Sequence, residues 1–222
     1  METICYVRAN SDGELEFSEE EQTIWKHKWT KDIVTYQLQK DSEDIVGTSI
    51  EKRGVNLAMS TWNFEIPLKL RSTRDGNPDV YINFVHAKND KFFKDRKGVL
   101  AYAYYPKTQH AGKIVFNEDF LWTLNGKPVE AWKVDKRYAK TSKTKLRSYN
   151  MIHVLIHEMG HCLGLTHDVK NEDSVMWWQY NGQLHLHDND IKRITKKYGK
   201  RKWNPRILKR VKRWLYNRKE RL

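Results

Sequence analysis

The chain has 222 residues, enough for one ordinary domain with appendages, and its 39% hydrophobic and 12% aromatic content supports a single buried core. The net charge of +13 is unevenly placed: residues 192–222 hold 15 Lys/Arg and one acid, whereas residues 1–191 hold 26 basic and 27 acidic residues. No run of about 18 apolar residues is present, which excludes a membrane-spanning helix, and two cysteines, Cys5 and Cys162, cannot build a disulfide scaffold.

Residues 1–25 are polar and acidic, show no signal-peptide pattern, and read as a loosely held leader. Residues 33–38 carry β-branched side chains in partial alternation and predict a strand. From about 44 to 62, Val46, Ile50, Leu57, Ala58 and Trp62 fall near one helical face, with Gly47 and Gly54 weakening the pattern. Further strands are expected over 67–71, 80–85 (after the turn-like Asp75-Gly76-Asn77-Pro78), 98–104 and 113–117. Residues 133–147 hold seven Lys/Arg and one Asp and read as an exposed basic loop. A helix is expected over 150–163, ending at Gly164, and another over 188–198, ending at Gly199. Strands first and helices later indicate an α+β domain. The tail, 200–222, places Ile207, Leu208, Val211, Trp214 and Leu215 roughly on one face of a basic helix. Such a helix packs on its own domain, lies on an anionic membrane, or tracks nucleic-acid phosphates with Trp203 and Trp214 stacking on bases.

The chemistry concentrates between residues 157 and 168. His157 and His161 are four apart, so on a helix they lie about 40° apart and about 6 Å along the axis and can share one metal ion. Neutral imidazole nitrogens bind zinc at about 2.0–2.1 Å. Glu158 lies about 100° further round, poorly placed as a ligand and well placed to reach a water on the metal. A continued helix would carry His167 about 9 Å past His161 and away from the site. Gly164 can take positive φ and turn the chain so that His167 swings back. Three neutral histidines leave the fourth position open, as catalysis requires. Of the remaining candidates, His153 reads as a core or cleft-edge histidine, His185 and His187 as surface or helix N-terminal residues, and Cys162 as a buried thiol.

This stretch resembles the metzincin signature HExxHxxGxxH. Ser174-Val175-Met176 resembles the family's Met-turn, with Met176 forming a floor under the zinc site. The nearest branch by resemblance is the matrixins, the catalytic domains of matrix metalloproteinases. Lys28-Trp29 with strand 33–38, the strand at 98–103, Asn117-Glu118-Asp119 with Trp122, and the segment 186–199 are similar to theirs in consistent order, so the resemblance implies a catalytic domain over residues 26–199. The resemblance implies a twisted five-stranded mixed sheet with three main helices and an active-site cleft. It further implies a zinc-dependent endopeptidase in which Glu158 is the general base for a zinc-bound water. Leu100 and Ala101 would bind an extended substrate along an open strand edge, and Tyr180 would wall the specificity pocket unless it is only a loop aromatic.

Several features depart from that pattern. The prodomain motif with its zinc-blocking cysteine is absent. Tyr102 and Val115 stand at two positions where the family carries structural-zinc histidines, and the Gly/Asp-rich calcium loops are missing. One catalytic Zn2+ is therefore expected, with neither structural zinc nor calcium. Asp168 follows the third histidine where matrixins usually have Ser. The expected partner is a protein or peptide substrate, with an anionic membrane or nucleic acid as candidates for the tail, and the expected state is a monomer. The rival reading is an inactive zinc-stabilised module docked by its basic helix.

Overall fold

The computed structural model describes residues 4–8, 27–45, 47–130, 145–203 and 213. Most of the leader, the basic insert as far as residue 144, Val46 and nearly all of the tail beyond 203 lie outside the described residues.

The five expected strands are all present. They are β2 (Ile33–Lys40), β3 (Lys69–Ser72), β4 (Val80–Val85), β5 (Val99–Tyr104) and β6 (Lys113–Asn117). Among the described residues three long helices accompany them, α1 (Thr48–Glu65), α3 (Met151–Cys162) and α4 (Asp188–Tyr198), with a short α2 (Lys91–Asp95). The sheet is mixed. β3 and β4 flank β2 in parallel, β6 runs parallel to β4, and β5 turns back antiparallel to β6.

The leader departs from expectation. Residues Ile4–Arg8 form a strand, β1, that pairs antiparallel with β5, running from Ile4 opposite Tyr104 to Arg8 opposite Val99. The sheet therefore has the order β1-β5-β6-β4-β2-β3, and β5 is an interior strand. Two-stranded pairings β10 (Tyr149–Asn150) with β7 (Trp122–Thr123), and β8 (Val129–Glu130) with β9 (Lys145–Leu146), lie outside it.

Alternation decides which face is buried. Val34, Tyr36 and Leu38 of β2 and Val80, Ile82 and Phe84 of β4 point into the main core, where α1 and α3 pack. α1 begins four residues later than its pattern suggests, because Gly47 takes a φ of 105° at its N-cap. Trp62, fully buried, donates its indole N–H to the Ile156 carbonyl of α3 at 2.8 Å and ties the two helices together. On the opposite face, Phe93, Val99, Tyr102, Tyr104 and Val115 form a second cluster, and the Tyr102 hydroxyl donates to Asp90 at 2.8 Å. Tyr102 and Val115 thus stand in an aromatic cluster.

The segment between β2 and α1 is held by buried carboxylates. Glu51 accepts from the Ser42 N–H at 3.1 Å, while Glu118 accepts from the Ser42 hydroxyl at 3.0 Å and the Glu43 N–H at 2.6 Å. Burial pushes both carboxyls from an ordinary 4.5 up to about 7, partly opposed by these hydrogen bonds. The folded chain therefore binds protons that the unfolded chain has released. This contribution to stability is complete below about pH 4.5 and is lost as pH rises through about 7. Glu118→Gln keeps an acceptor and cannot ionise. We expect its thermal midpoint to rise relative to wild type between pH 5 and pH 8 in parallel melts; two pH curves that run parallel would contradict this assignment.

Candidate active site

α3 opens at Asn150, whose side chain accepts from the N–H groups of Ile152 (2.9 Å) and His153 (3.2 Å). All twelve of its residues are buried, including His153, His157, Glu158 and His161. Four ionisable groups on one buried helix carry a desolvation cost that packing alone does not require.

The helix ends as a Schellman motif. Gly164 donates to the His161 carbonyl at 2.7 Å, and Leu165 donates to that of Gly160 at 2.9 Å. Gly164 has a φ of 85°, and a Cβ there would lie 2.0 Å from the His27 carbonyl oxygen. Conformation and space both demand glycine. The turn returns the chain so that His167 meets the helical pair. Its ring centroid lies 5.2 Å from that of His157 and 4.8 Å from that of His161. Ligand atoms of the three histidines all fall within 4.8 Å of one another, the one such group among the described residues.

The outer nitrogens determine what the inner ones can do. His157 Nδ1 lies 2.7 Å from the Val175 carbonyl, and His161 Nδ1 lies 2.7 Å from the Leu165 carbonyl. A carbonyl only accepts, so each Nδ1 carries the proton. Burial, first of all, pushes both imidazoles well below the ordinary 6.5, so neither takes a second proton. Each Nε2 is then a bare lone pair, and the two face one another 3.0 Å apart. Two unprotonated nitrogens at that distance repel unless a cation sits between them. Imidazole nitrogens at 2.0–2.1 Å from a tetrahedral ion would be separated by about 3.3 Å. The donor set fits a zinc-like ion.

The turn over residues 174–176 supplies one of those carbonyls and packs against the helix. Met176 donates its N–H to Ser174 Oγ, which donates to Asp190 at 2.5 Å, and Asp190 also accepts from the Val175 N–H at 3.1 Å. Asp190 belongs to α4, whose N-cap His187 forms a capping box with it. Burial raises its carboxyl above the ordinary range despite these hydrogen bonds. Asp168 donates its N–H to the Met176 carbonyl at 2.9 Å, closing the loop after His167. A Cβ on Gly160 would stand 2.3 Å from the Met176 sulfur.

The other candidates fall as follows. His153 is turned to the Gln183 carbonyl, 2.6 Å from its Nδ1, and lies outside the metal group. Tyr180 packs edge-on against Tyr149 and His153, and its hydroxyl accepts from the Asn150 N–H at 2.9 Å. Cys162 is a buried thiol. Leu100 and Ala101 lie fully buried in β5, whose expected open edge is filled by β1. Trp203 stacks on Phe64 and donates its indole N–H to the Phe64 carbonyl at 2.9 Å. That ring is half-buried against its own domain. Sequence reasoning missed Asn150, Val175 and Leu165 as orienting groups. A capping side chain before the motif was the one readable signal, because backbone carbonyls carry none.

A family model described as Matrixin matches residues 28–199. The chain is a matrixin. It is 33% identical to human (Homo sapiens) matrilysin over 180 residues, which cover 78% of this chain and 60% of that protein. It is 26% identical to pig (Sus scrofa) interstitial collagenase over 202 residues, covering 89% and 38% respectively. With rabbit (Oryctolagus cuniculus) macrophage metalloelastase the identity is 28% over 177 residues, covering 77% and 33%. The chain thus spans about 60% of the matrilysin length. Within this matrixin domain, Gly160→Ala should force a methyl into Met176 and lower stability by about 1–3 kcal/mol. In a Met176→Ala background that cost should shrink by roughly 1 kcal/mol. Denaturant unfolding of the four-member cycle checks this, and an equal cost in both backgrounds would count against the contact.

Proposed function

We propose that this matrixin is a zinc-dependent endopeptidase with His157, His161 and His167 holding one catalytic zinc. The observation that carries the reading is the pair of Nε2 lone pairs facing each other at 3.0 Å, with both Nδ1 protons committed to carbonyls. When bound, zinc supplies Lewis acidity toward a scissile carbonyl and toward water. Glu158 is the general base. It follows His157 on the same buried helix, takes the proton of the attacking water on its carboxylate, and delivers it to the leaving amine. Met176 is the floor residue beneath the ligands, fully buried against Gly160. Tyr180, anchored at Asn150, is the wall that limits the side chain bound beside the metal. No observation in the site or among the relatives favours an inactive binding module.

An extended substrate would pair with the backbone of β5 at Leu100 and Ala101, because a strand edge offers its N–H and C=O groups to a second chain. β1 now holds that edge antiparallel. Substrate binding therefore requires β1 to leave, and β1 acts as an internal competitor for the cleft.

Purified protein should contain about one zinc and cleave an unstructured protein, and a chelator should abolish cleavage. Glu158→Gln should retain zinc and lose activity by about 10²–10⁴-fold; equal activity of the two would sink the enzyme reading. Proline removes a ladder donor, and successive N–H groups of a strand point to opposite sides. The double change Cys5→Pro, Tyr6→Pro thus deletes a β1–β5 hydrogen bond whichever residue makes it. Its kcat/KM should rise several-fold in steady-state cleavage assays, and an unchanged value would remove β1 from the cleft's energetics.

A further inference from the structure

The turn that carries His167 is held from outside, by one face of α4. The Tyr198 hydroxyl donates to the Leu163 carbonyl at 3.0 Å, and Lys197 Nζ donates to the Gly164 carbonyl at 2.6 Å. Arg193 Nη2 donates to the Thr166 carbonyl at 2.8 Å, to Thr166 Oγ1 at 2.7 Å and to the His167 carbonyl at 3.4 Å. Four backbone acceptors between 163 and 167 are thus received by three side chains of one helix.

Two of those side chains are cations placed i, i+4 on α4, an arrangement that repels on an isolated helix. Lys197 is buried at 7% exposure, and burial lowers its ammonium to about 8, with Arg193 and Lys28 adding to the effect. Their repulsion is offset by what they face. The turn lies at the C-terminal end of α3, where the helix dipole concentrates partial negative charge. Gly164 is needed a second time here, since a Cβ would lie 2.7 Å from Lys197 Nζ. His157 and His161 are placed by the regular geometry of α3. His167 has no such support, because it follows a glycine turn whose backbone has many conformations open to it.

The geometry points to Arg193 and Lys197 as positioning residues for His167: by gripping the carbonyls of Gly164, Thr166 and His167, they hold the third histidine where the helical pair requires it. This rests on the metal-centre reading above. Neither side chain touches substrate or metal; both act through the backbone of the turn.

The test compares them with Arg201, which grips carbonyls in the same manner but in the segment after α1, not in the turn that carries His167. Arg201 donates to the carbonyls of Ile66 (2.8 Å), Pro67 (3.3 Å) and Leu68 (3.2 Å). Zinc affinity of the full chain is measured by competition with a chromophoric chelator, ligand geometry by the visible spectrum of the Co2+-loaded protein, and fold by thermal melting. Arg193→Met and Lys197→Met should each weaken zinc binding by about 10–100-fold, the range found when groups supporting metal ligands are removed. Both should also change the Co2+ spectrum. Arg193→Lys should recover part of the affinity, and serves with Lys197→Met if Arg193→Met does not fold. Arg201→Met should lower the melting temperature while holding zinc within about twofold of wild type. Arg193 and Lys197 variants that bind zinc like wild type, or an Arg201→Met that loses as much affinity as they do, would overturn the assignment. A wild-type chain that binds no zinc would overturn the metal-centre reading itself and this inference with it.

Discussion

Three imidazoles meet inside the protein, and their inner nitrogens can share one point only if their outer nitrogens are spoken for. Much of the architecture around the cleft follows from that requirement. His161 sends its Nδ1 proton to Leu165, one residue past the glycine that ends its own helix. His157 sends its proton to Val175, in the turn over residues 174–176. The chain after α3 must therefore turn sharply, return with the third histidine, and pass under the helix again within a few residues. Gly164 permits the first of these moves. Gly160, flat against Met176, permits the last.

α4 closes the construction. Asp190 at its start organises the turn over residues 174–176 through Ser174 and Val175, and Arg193, Lys197 and Tyr198 along its length donate to the carbonyls of the returning turn. One amphipathic helix thus touches both segments that orient the ligands. Trp29 adds a further brace, donating its indole N–H to the Cys162 carbonyl at 2.8 Å and its backbone N–H to the Tyr198 hydroxyl. The sheet bears on the proposed function at β5, whose edge would receive an extended substrate and is held by β1 of the same chain. Under that proposal a β-ladder partner in cis would compete at a high effective concentration, and its release would be part of substrate binding.

The parts of the fold legible in the sequence were those with a strong local period. The strand over 80–85 and the helix over 188–198 have the expected ends, because alternation and a terminal glycine define them locally. The Ile4–Arg8 strand was not legible. It is short, follows an unremarkable start, and exists only because β5 has an edge to offer, a fact about pairing rather than about residues 4–8. Trp203 read as a candidate stacking group for the same reason, since nothing nearby in sequence reveals that Phe64 waits for it.

By itself the sequence determined which residues the proposed metal centre is built from. Histidines at 157, 161 and 167 with Glu158 and Gly164 are spaced by helix geometry and by one permitted turn, both local properties of the chain. The tertiary structure alone decided which carbonyls fix the tautomers, which cations of α4 hold His167, and what fills the edge of β5. Those partners lie from four residues to a hundred away in sequence, and the acceptors at Leu165, Val175, Gly164, Thr166 and His167 are backbone oxygens of a kind that every residue possesses. A group common to all residues leaves no trace in residue identity. Only the fold selects which of them the side chains meet.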